Sequence, residues 1–271
     1  MFEPVYATVR RKRFTGRLIH QTMNLWLQDY PHPLVIGHRG ASAHAPENTL
    51  AAFSLAMAQG ADGIELDVKR CASGEAVIMH DVTVDRTTNG QGKVHELTFE
   101  QLRRLDAGGG ERVPTLDEVL ELTAGAQERP FLVNIEVTNY ATPSDYLEAL
   151  VTEVVRRHAC AECILFSSFN PRSVRTLWKI MPDVPRGILY APDMPMPLRR
   201  VWLGPFVPHE FRHPQLAFIT PDYVSKLRAR GKRVNVWTVN APADIARVAQ
   251  AGVAGIIGDS PQTMRSTVVS R

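Results

Sequence analysis

The sequence predicts an α/β chain folded as a (β/α)8 TIM barrel, with an N-terminal helical extension and a loop excursion after the second strand. Three observations carry that expectation. The 271 residues suit one domain of the ~250 that such a barrel needs. From residue 34 onward, short β-rich apolar runs alternate with longer helical patterns, which implies βα units with parallel strands. About eight such runs can be counted, and no repeat or linker suggests a second domain.

Composition narrows the class. A hydrophobic fraction of 44%, a charged fraction of 22%, and 18 Gly with 19 Pro spread along the chain describe an ordinary globular protein with many turns. The net charge of +3 is too weak to indicate a nucleic-acid partner and fits an anionic substrate. Cys71, Cys160 and Cys163 form an odd set without framework spacing, so a reducing compartment is expected. Cys160 and Cys163 read as two thiols at a helix-to-strand connection, because no second pair completes a tetrahedral zinc site. No run reaches the ~18 to 20 apolar residues of a membrane span, and no signal core is visible, so a cytoplasmic location is expected.

In order, residues 1–33 place Arg10, Arg11, Lys12 and Arg13 before Phe14, Leu18, Ile19, Met23, Trp26 and Leu27 at helical spacing. This basic amphipathic extension is expected to cover one end of the core, with weak contact to an anionic membrane surface as a second reading. The barrel domain is expected over residues 34–265. Its first strand is 34–37; a helix follows to residue 59, capped by Asn48 or Thr49 and ended by Gly60. Residues 64–68 form the second strand, and 77–79 its extension or hairpin neighbour. Residues 82–114 are turn-rich and polar, an excursion that follows His80 and is expected to wall one side of a site. Thr115 and Glu118 match a capping box for a helix to about residue 122. Further strands are expected at 131–137, 163–166, 186–189, within 206–213, at 233–238 and at 255–257. Helices fill 144–158, 171–180, 221–229 and 242–251, with Thr220 as cap and Pro221 at the first helical position of the third.

The polar residues between 34 and 81 sit where apolar runs end, which is where α/β enzymes keep their chemistry. Glu65 and Asp67 are two apart on a strand and face the same side. Two such carboxylates facing a barrel interior destabilise each other unless a cation sits between them. Glu136, at the end of the next confident strand, should reach the same rim. Three oxygen ligands without a thiol favour one hard divalent cation, Mg²⁺ or Ca²⁺, over zinc. His38 ends the first strand and His80 follows an apolar run, so both should project at that end. A pair of imidazoles can act as general base and general acid near neutral pH. A metal together with Arg39 can neutralise charge growing on phosphoryl oxygens. The set suits phosphoryl transfer.

His38-Arg39-Gly40, Pro46-Glu47-Asn48-Thr49, Glu65-Leu66-Asp67, His80-Asp81, Asn134-Ile135-Glu136, Val236-Trp237-Thr238-Val239-Asn240 and Gly252-Val253-Ala254-Gly255-Ile256-Ile257 resemble, in order, the glycerophosphodiester phosphodiesterase family. The resemblance covers about residues 34–262. It implies a (β/α)8 barrel that uses one Mg²⁺ or Ca²⁺ to hydrolyse glycerophosphodiesters to glycerol 3-phosphate and an alcohol. It further implies His38 and His80 as the acid/base pair, Glu65, Asp67 and Glu136 as metal ligands, Arg39 as a phosphate contact and Trp237 as pocket lining. Residues 46–49 are expected to shape the first loop rather than touch reacting atoms, with Glu47 able to hydrogen-bond a catalytic partner.

One departure stands out. The family's third-strand motif usually places a lysine two residues after its glutamate, where this chain has Thr138. Either Arg39 and the metal suffice, or another cation such as Lys69, Arg70 or Arg86 substitutes, or activity or substrate differs. His209 and His213 are further candidates for substrate contact. The alternatives are a lysophospholipase D or sphingomyelinase D-like lipid phosphodiesterase, favoured by the amphipathic extension, and a catalytically weak phosphodiester-binding protein, motivated by Thr138. The full set of histidines and acids speaks against the second.

Overall fold

The structure is a computed structural model that describes residues 23–125, 130–140, 142 and 145–269. The first strands are β1 (Leu34–His38), β2 (Gly63–Arg70) and β3 (Ala76–Ile78). They are followed by β4 (Leu132–Val137), β5 (Ile164–Ser168), β6 (Arg186–Tyr190), β7 (Phe211–Pro214), β8 (Arg233–Val236) and β9 (Gly255–Gly258). All but β3 run parallel, and β1 pairs with both β2 and β9, so eight strands close into a (β/α)8 barrel. β3 folds back antiparallel on the end of β2 as its hairpin neighbour. The helices are α1 (Leu50–Ala58), α2 (Phe99–Arg104), α3 (Leu116–Gly125), α4 (Leu147–Arg157), α5 (Pro171–Ile180), α6 (Met196–Arg199), α7 (Pro221–Arg228), α8 (Pro242–Gln250) and α9 (Pro261–Val269).

Local chemistry sets where the helices begin. Thr49 Oγ1 accepts from the Ala52 amide and starts α1; Thr220 accepts from Tyr223 ahead of Pro221 and starts α7. Thr115 and Glu118 form a reciprocal capping box, the Thr115 amide donating to Glu118 at 2.9 Å.

Alternation along β2 and β4 then divides core from site. Ile64, Leu66, Val68, Val133, Ile135 and Val137 pack outward in one cluster with Phe53 and Ala56 of α1 and Val119 and Leu120 of α3. Residues 65, 67, 134 and 136 are left to the barrel interior.

At the N-terminal end of the barrel, Leu34, Ile36, Leu132, Leu165, Phe211 and Ile257 pack around Trp26. The Trp26 ring lies edge-on to Phe211 at 6.2 Å, and its Nε1 donates to the Cys163 carbonyl at 2.8 Å. Asn24 donates to the Ala161 and Ile164 carbonyls beside it. Of the expected N-terminal helix, the described part is a short 3-10 turn, Leu25–Leu27; residues 1–22, with the four basic side chains, lie outside the described residues.

The excursion differs from its sequence-based expectation. It holds a core of its own, with Val84, Val94, Leu102, Ala107 and Val113 packed on Val77 and Met79. Its helix α2 carries a capping box between Thr98 and Gln101. Six helical residues among singly spaced apolar positions give too little periodicity to read. Elsewhere α3 runs on to Gly125, and α4 begins at Leu147 behind residues outside the description. Among the described residues no helix is long and apolar enough to cross a membrane.

Candidate active site

One cavity at the C-terminal rim is lined by seven of the residues singled out from the sequence: His38, Arg39, Glu65, Asp67, His80, Glu136 and Trp237. Their elements explain the convergence. β1 ends in His38, β2 carries Glu65 and Asp67, β4 carries Glu136 opposite Asp67, and Trp237 directly follows β8.

Glu65, Asp67 and Glu136 are all buried, and each offers an oxygen within 4.8 Å of the others. Burial first, then the charges of Asp67 and Glu136, push the Glu65 carboxyl well above its ordinary range. Burial and Asp67 push Glu136 up to about 8. Burial and mutual repulsion thus disfavour three ionised carboxylates here, and either protonation or a bound cation would relieve them. The donors are oxygens only, so the residues fit a hard divalent ion.

The Arg-Gly turn after β1 builds the cationic side of the cavity. Arg39 takes a left-handed backbone, φ +55, and its amide donates to Glu65 Oε2 at 3.1 Å. Gly40 follows at φ +87, where an added Cβ would lie 2.6 Å from the backbone of Ala52 in α1. The Arg39 guanidinium bonds Glu47 at 2.7 Å and approaches Asp67 at 3.4 Å. Burial works against its charge, yet Asp67, Glu65 and Glu47 raise its pKa overall.

Each imidazole has its own carboxylate. His38 Nδ1 meets Asp259 Oδ1 at 2.7 Å, and Asp259 is held by Asn240 Nδ2 at 2.6 Å and Ser42 Oγ at 3.2 Å. His80 Nδ1 meets Asp81 Oδ1 at 2.6 Å, and Asp81 accepts from Arg86 Nε at 2.7 Å. A carboxylate at Nδ1 selects the tautomer with the proton on that nitrogen and leaves Nε2 as the working atom. Arg86 hydrogen bonds drive Asp81 far below the usual carboxylate range; burial opposes the drop in Asp259, which the His38 bond lowers.

Other residues of the site had no place in the sequence reading. Asn48 Nδ2 donates to Asp67 Oδ2 at 3.0 Å, so residues 46–49 do more than shape a loop. The Tyr140 hydroxyl donates to Glu136 at 2.9 Å and accepts from the Phe169 amide at 3.1 Å. Phe169 lines the cavity, edge-on to Trp237 at 5.5 Å. Trp237 Nε1 is committed to the His213 carbonyl at 2.8 Å, so the indole offers a ring face. For Asp259 a signal existed: it follows an apolar run as His38 does.

Two candidates fall away from the site. His213 is fully buried inside the barrel, pushed down to about 3 by burial, and packed over Gly187, where a Cβ would come within 2.6 Å of its Nε2. His209 is buried with Nδ1 on the Val207 carbonyl. Neither reaches the cavity. The excursion touches the site through Arg86, which bonds Glu47 as well as Asp81, rather than through a lining wall. Cys160 and Cys163 are free thiols pushed up to about 12 and about 11 by burial, and His158 is engaged by Asp117.

A closed (β/α)8 barrel whose rim gathers carboxylates, imidazoles and a guanidinium places the protein among the barrel enzymes that work at the C-terminal face. The profile of the Glycerophosphoryl diester phosphodiesterase family matches residues 38–263, and the chain belongs to that family. A glycerophosphodiester phosphodiesterase from Caldanaerobacter subterraneus is 40% identical over 243 residues, 87% of this chain and 97% of that protein. One from Bacillus altitudinis is 34% identical, across 84% of this chain and 94% of its own. An Oleispira antarctica phosphodiesterase, solved in complex with the product sn-glycerol-3-phosphate, superposes with a TM-score of 0.77 at 30% identity, covering 87% of this chain and 96% of that one.

Proposed function

We propose that the protein hydrolyses glycerophosphodiesters to glycerol 3-phosphate and an alcohol, with one divalent cation held by Glu65, Asp67 and Glu136. The observation that carries this reading is the three-carboxylate cluster in one cavity with two imidazoles and a guanidinium. A divalent ion bound there would act as a Lewis acid on the nonbridging phosphoryl oxygens. Arg39, next to the cluster, binds the same anionic group. One imidazole takes the proton of the attacking oxygen through Nε2, and the other returns a proton to the leaving alkoxide. Asp259 and Asp81 hold the two rings in the tautomer this exchange needs. Phe169 and Trp237 offer aromatic faces to the glycerol or head group. The family's description and the sn-glycerol-3-phosphate bound to the Oleispira antarctica neighbour support a deacylated glycerophosphodiester over a lysophospholipase D substrate.

Glu65→Ala, combined with a metal titration, tests the core of the proposal. Turnover of glycerophosphocholine is expected to fall by about 10³ or more and to be lost from the wild type in EDTA, restored by Mg²⁺ or Ca²⁺. Full hydrolysis by the variant with EDTA present would overturn it. A panel of glycerophosphodiesters bearing choline, ethanolamine, glycerol, inositol or an acyl chain decides the alcohol, and preference for the acyl-bearing lipid would reverse the choice of substrate.

A further inference from the structure

The three cations that the sequence offers in place of one at position 138 occupy different positions. Arg86 divides its guanidinium between Asp81 and Glu47, with contacts of 2.7 to 3.1 Å. Arg70 lies on the opposite face of β2 from Asp67 and donates to the Asp145 carbonyl at 2.7 Å. Lys69 continues the inward series of Glu65 and Asp67. It is 8% exposed, and its Nζ lies 2.7 Å from Thr138 Oγ1 and 3.1 Å from the Thr138 carbonyl.

We propose that Lys69 is the second phosphate-facing cation of the site, delivered from β2 and aimed by Thr138, the residue after β4. The register explains the reach. Asp67 stands opposite Glu136 and Val68 opposite Val137, so Lys69 comes next to Thr138 just above the carboxylate cluster. Thr138 is itself oriented: its hydroxyl donates to the Val68 carbonyl at 2.8 Å, which turns its lone pairs toward Lys69. An ammonium has three donors, and among the described residues Thr138 supplies the only acceptors it meets. One N–H is therefore left without a partner among the described residues, at a side chain that stands just behind the lining of the cavity. Burial pushes the Lys69 ammonium below its ordinary value, and Asp67 and Glu136 are the first of the carboxylates that oppose that shift.

The assignment rests on the phosphodiesterase reading for its substrate, while the cation itself is tested through phosphate binding. The rival is a structural tie in which Lys69 only fastens β2 to β4.

Lys69→Met, Thr138→Lys and the double swap separate the two. Lys69→Met is expected to weaken calorimetric binding of sn-glycerol 3-phosphate, and kcat/KM for glycerophosphocholine, by about tenfold to a hundredfold. Its Ca²⁺ affinity should be unchanged or tighter, since a cation beside the acids has gone. The double variant Lys69→Met/Thr138→Lys, which restores the charge from β4, should recover both within about fivefold. Unchanged phosphate binding in Lys69→Met overturns the proposal. So does a loss of phosphate and Ca²⁺ binding together, with a lowered melting temperature, that the swap fails to restore. A wild type that turns over no diester defeats the phosphodiesterase reading instead, and the glycerol 3-phosphate titration still decides Lys69.

Discussion

His38 and His80 face one cavity but are held by opposite means. The carboxylate on His38 comes from the end of β9, 221 residues away, and is pinned by Asn240 beyond β8. β1 and β9 are neighbours only because the sheet closes, so this pair is in place only when the whole barrel is. The carboxylate on His80 is the next residue, and it is steadied by Arg86 from the excursion, which also grips Glu47 after β1. The His38 side chain is 20% exposed and that of His80 is 43%. One half of the site is thus as rigid as the fold, and the other as firm as a partly exposed ion-pair network.

Removing either imidazole is the bluntest way to probe that contrast. His38→Ala and His80→Ala should each lower kcat/KM for glycerophosphocholine by about 10² to 10⁴. A small loss in one of them would leave the site with a single acid/base group and end the comparison. Asp259→Asn should cost about tenfold to a hundredfold, because it favours the wrong tautomer of the less exposed His38 ring. Asp81→Asn should cost less, with the more exposed His80 ring free to find solvent; equal losses would erase the distinction. Arg86→Ala should lower activity only severalfold, and should remove the salt sensitivity expected of wild-type kcat/KM if surface ion pairs hold His80.

The smallest effect concerns pH. Burial alone would raise Glu47, yet Arg86 and Arg39 hold it down to about 2, below its ordinary 4.5. A depressed carboxylate stabilises the fold above its unfolded pKa, and that contribution fades as pH falls from 4.5 toward 2. Hydrogen-exchange protection factors, corrected for the intrinsic rate at each pH, should therefore fall across residues 82–113 over that window before those of the barrel amides do, and Arg86→Ala should flatten the response. A uniform fall across the chain would mean that the excursion is not separately anchored.

This contrast also marks what could be read from residues alone. Glu65 and Asp67 declare their shared face through a spacing of two, His38 and His80 declare theirs by ending apolar runs, and Glu136 by its place at the end of a strand. The barrel follows from the strand rhythm. Asp259 ends an apolar run too, but its partner is set by barrel closure, which no local spacing encodes. Asn48 on Asp67 and Tyr140 on Glu136 depend on loop geometry, a left-handed Asn48 in the first case. His213 misleads for a related reason: nothing near it in sequence says that Gly187, one strand over, makes room for it inside the barrel.

Trp26 has a consequence of another kind. It lies outside every barrel strand and helix, yet it is buried to 1% exposure beneath Phe211 and Leu132 at the end opposite the active site. Replacing it with alanine should cost about 3 to 5 kcal/mol in a urea melt. Above it the barrel interior is itself filled by side chains and is no passage. The rim cavity is therefore both entrance and exit, so product must clear that opening before the next substrate can enter.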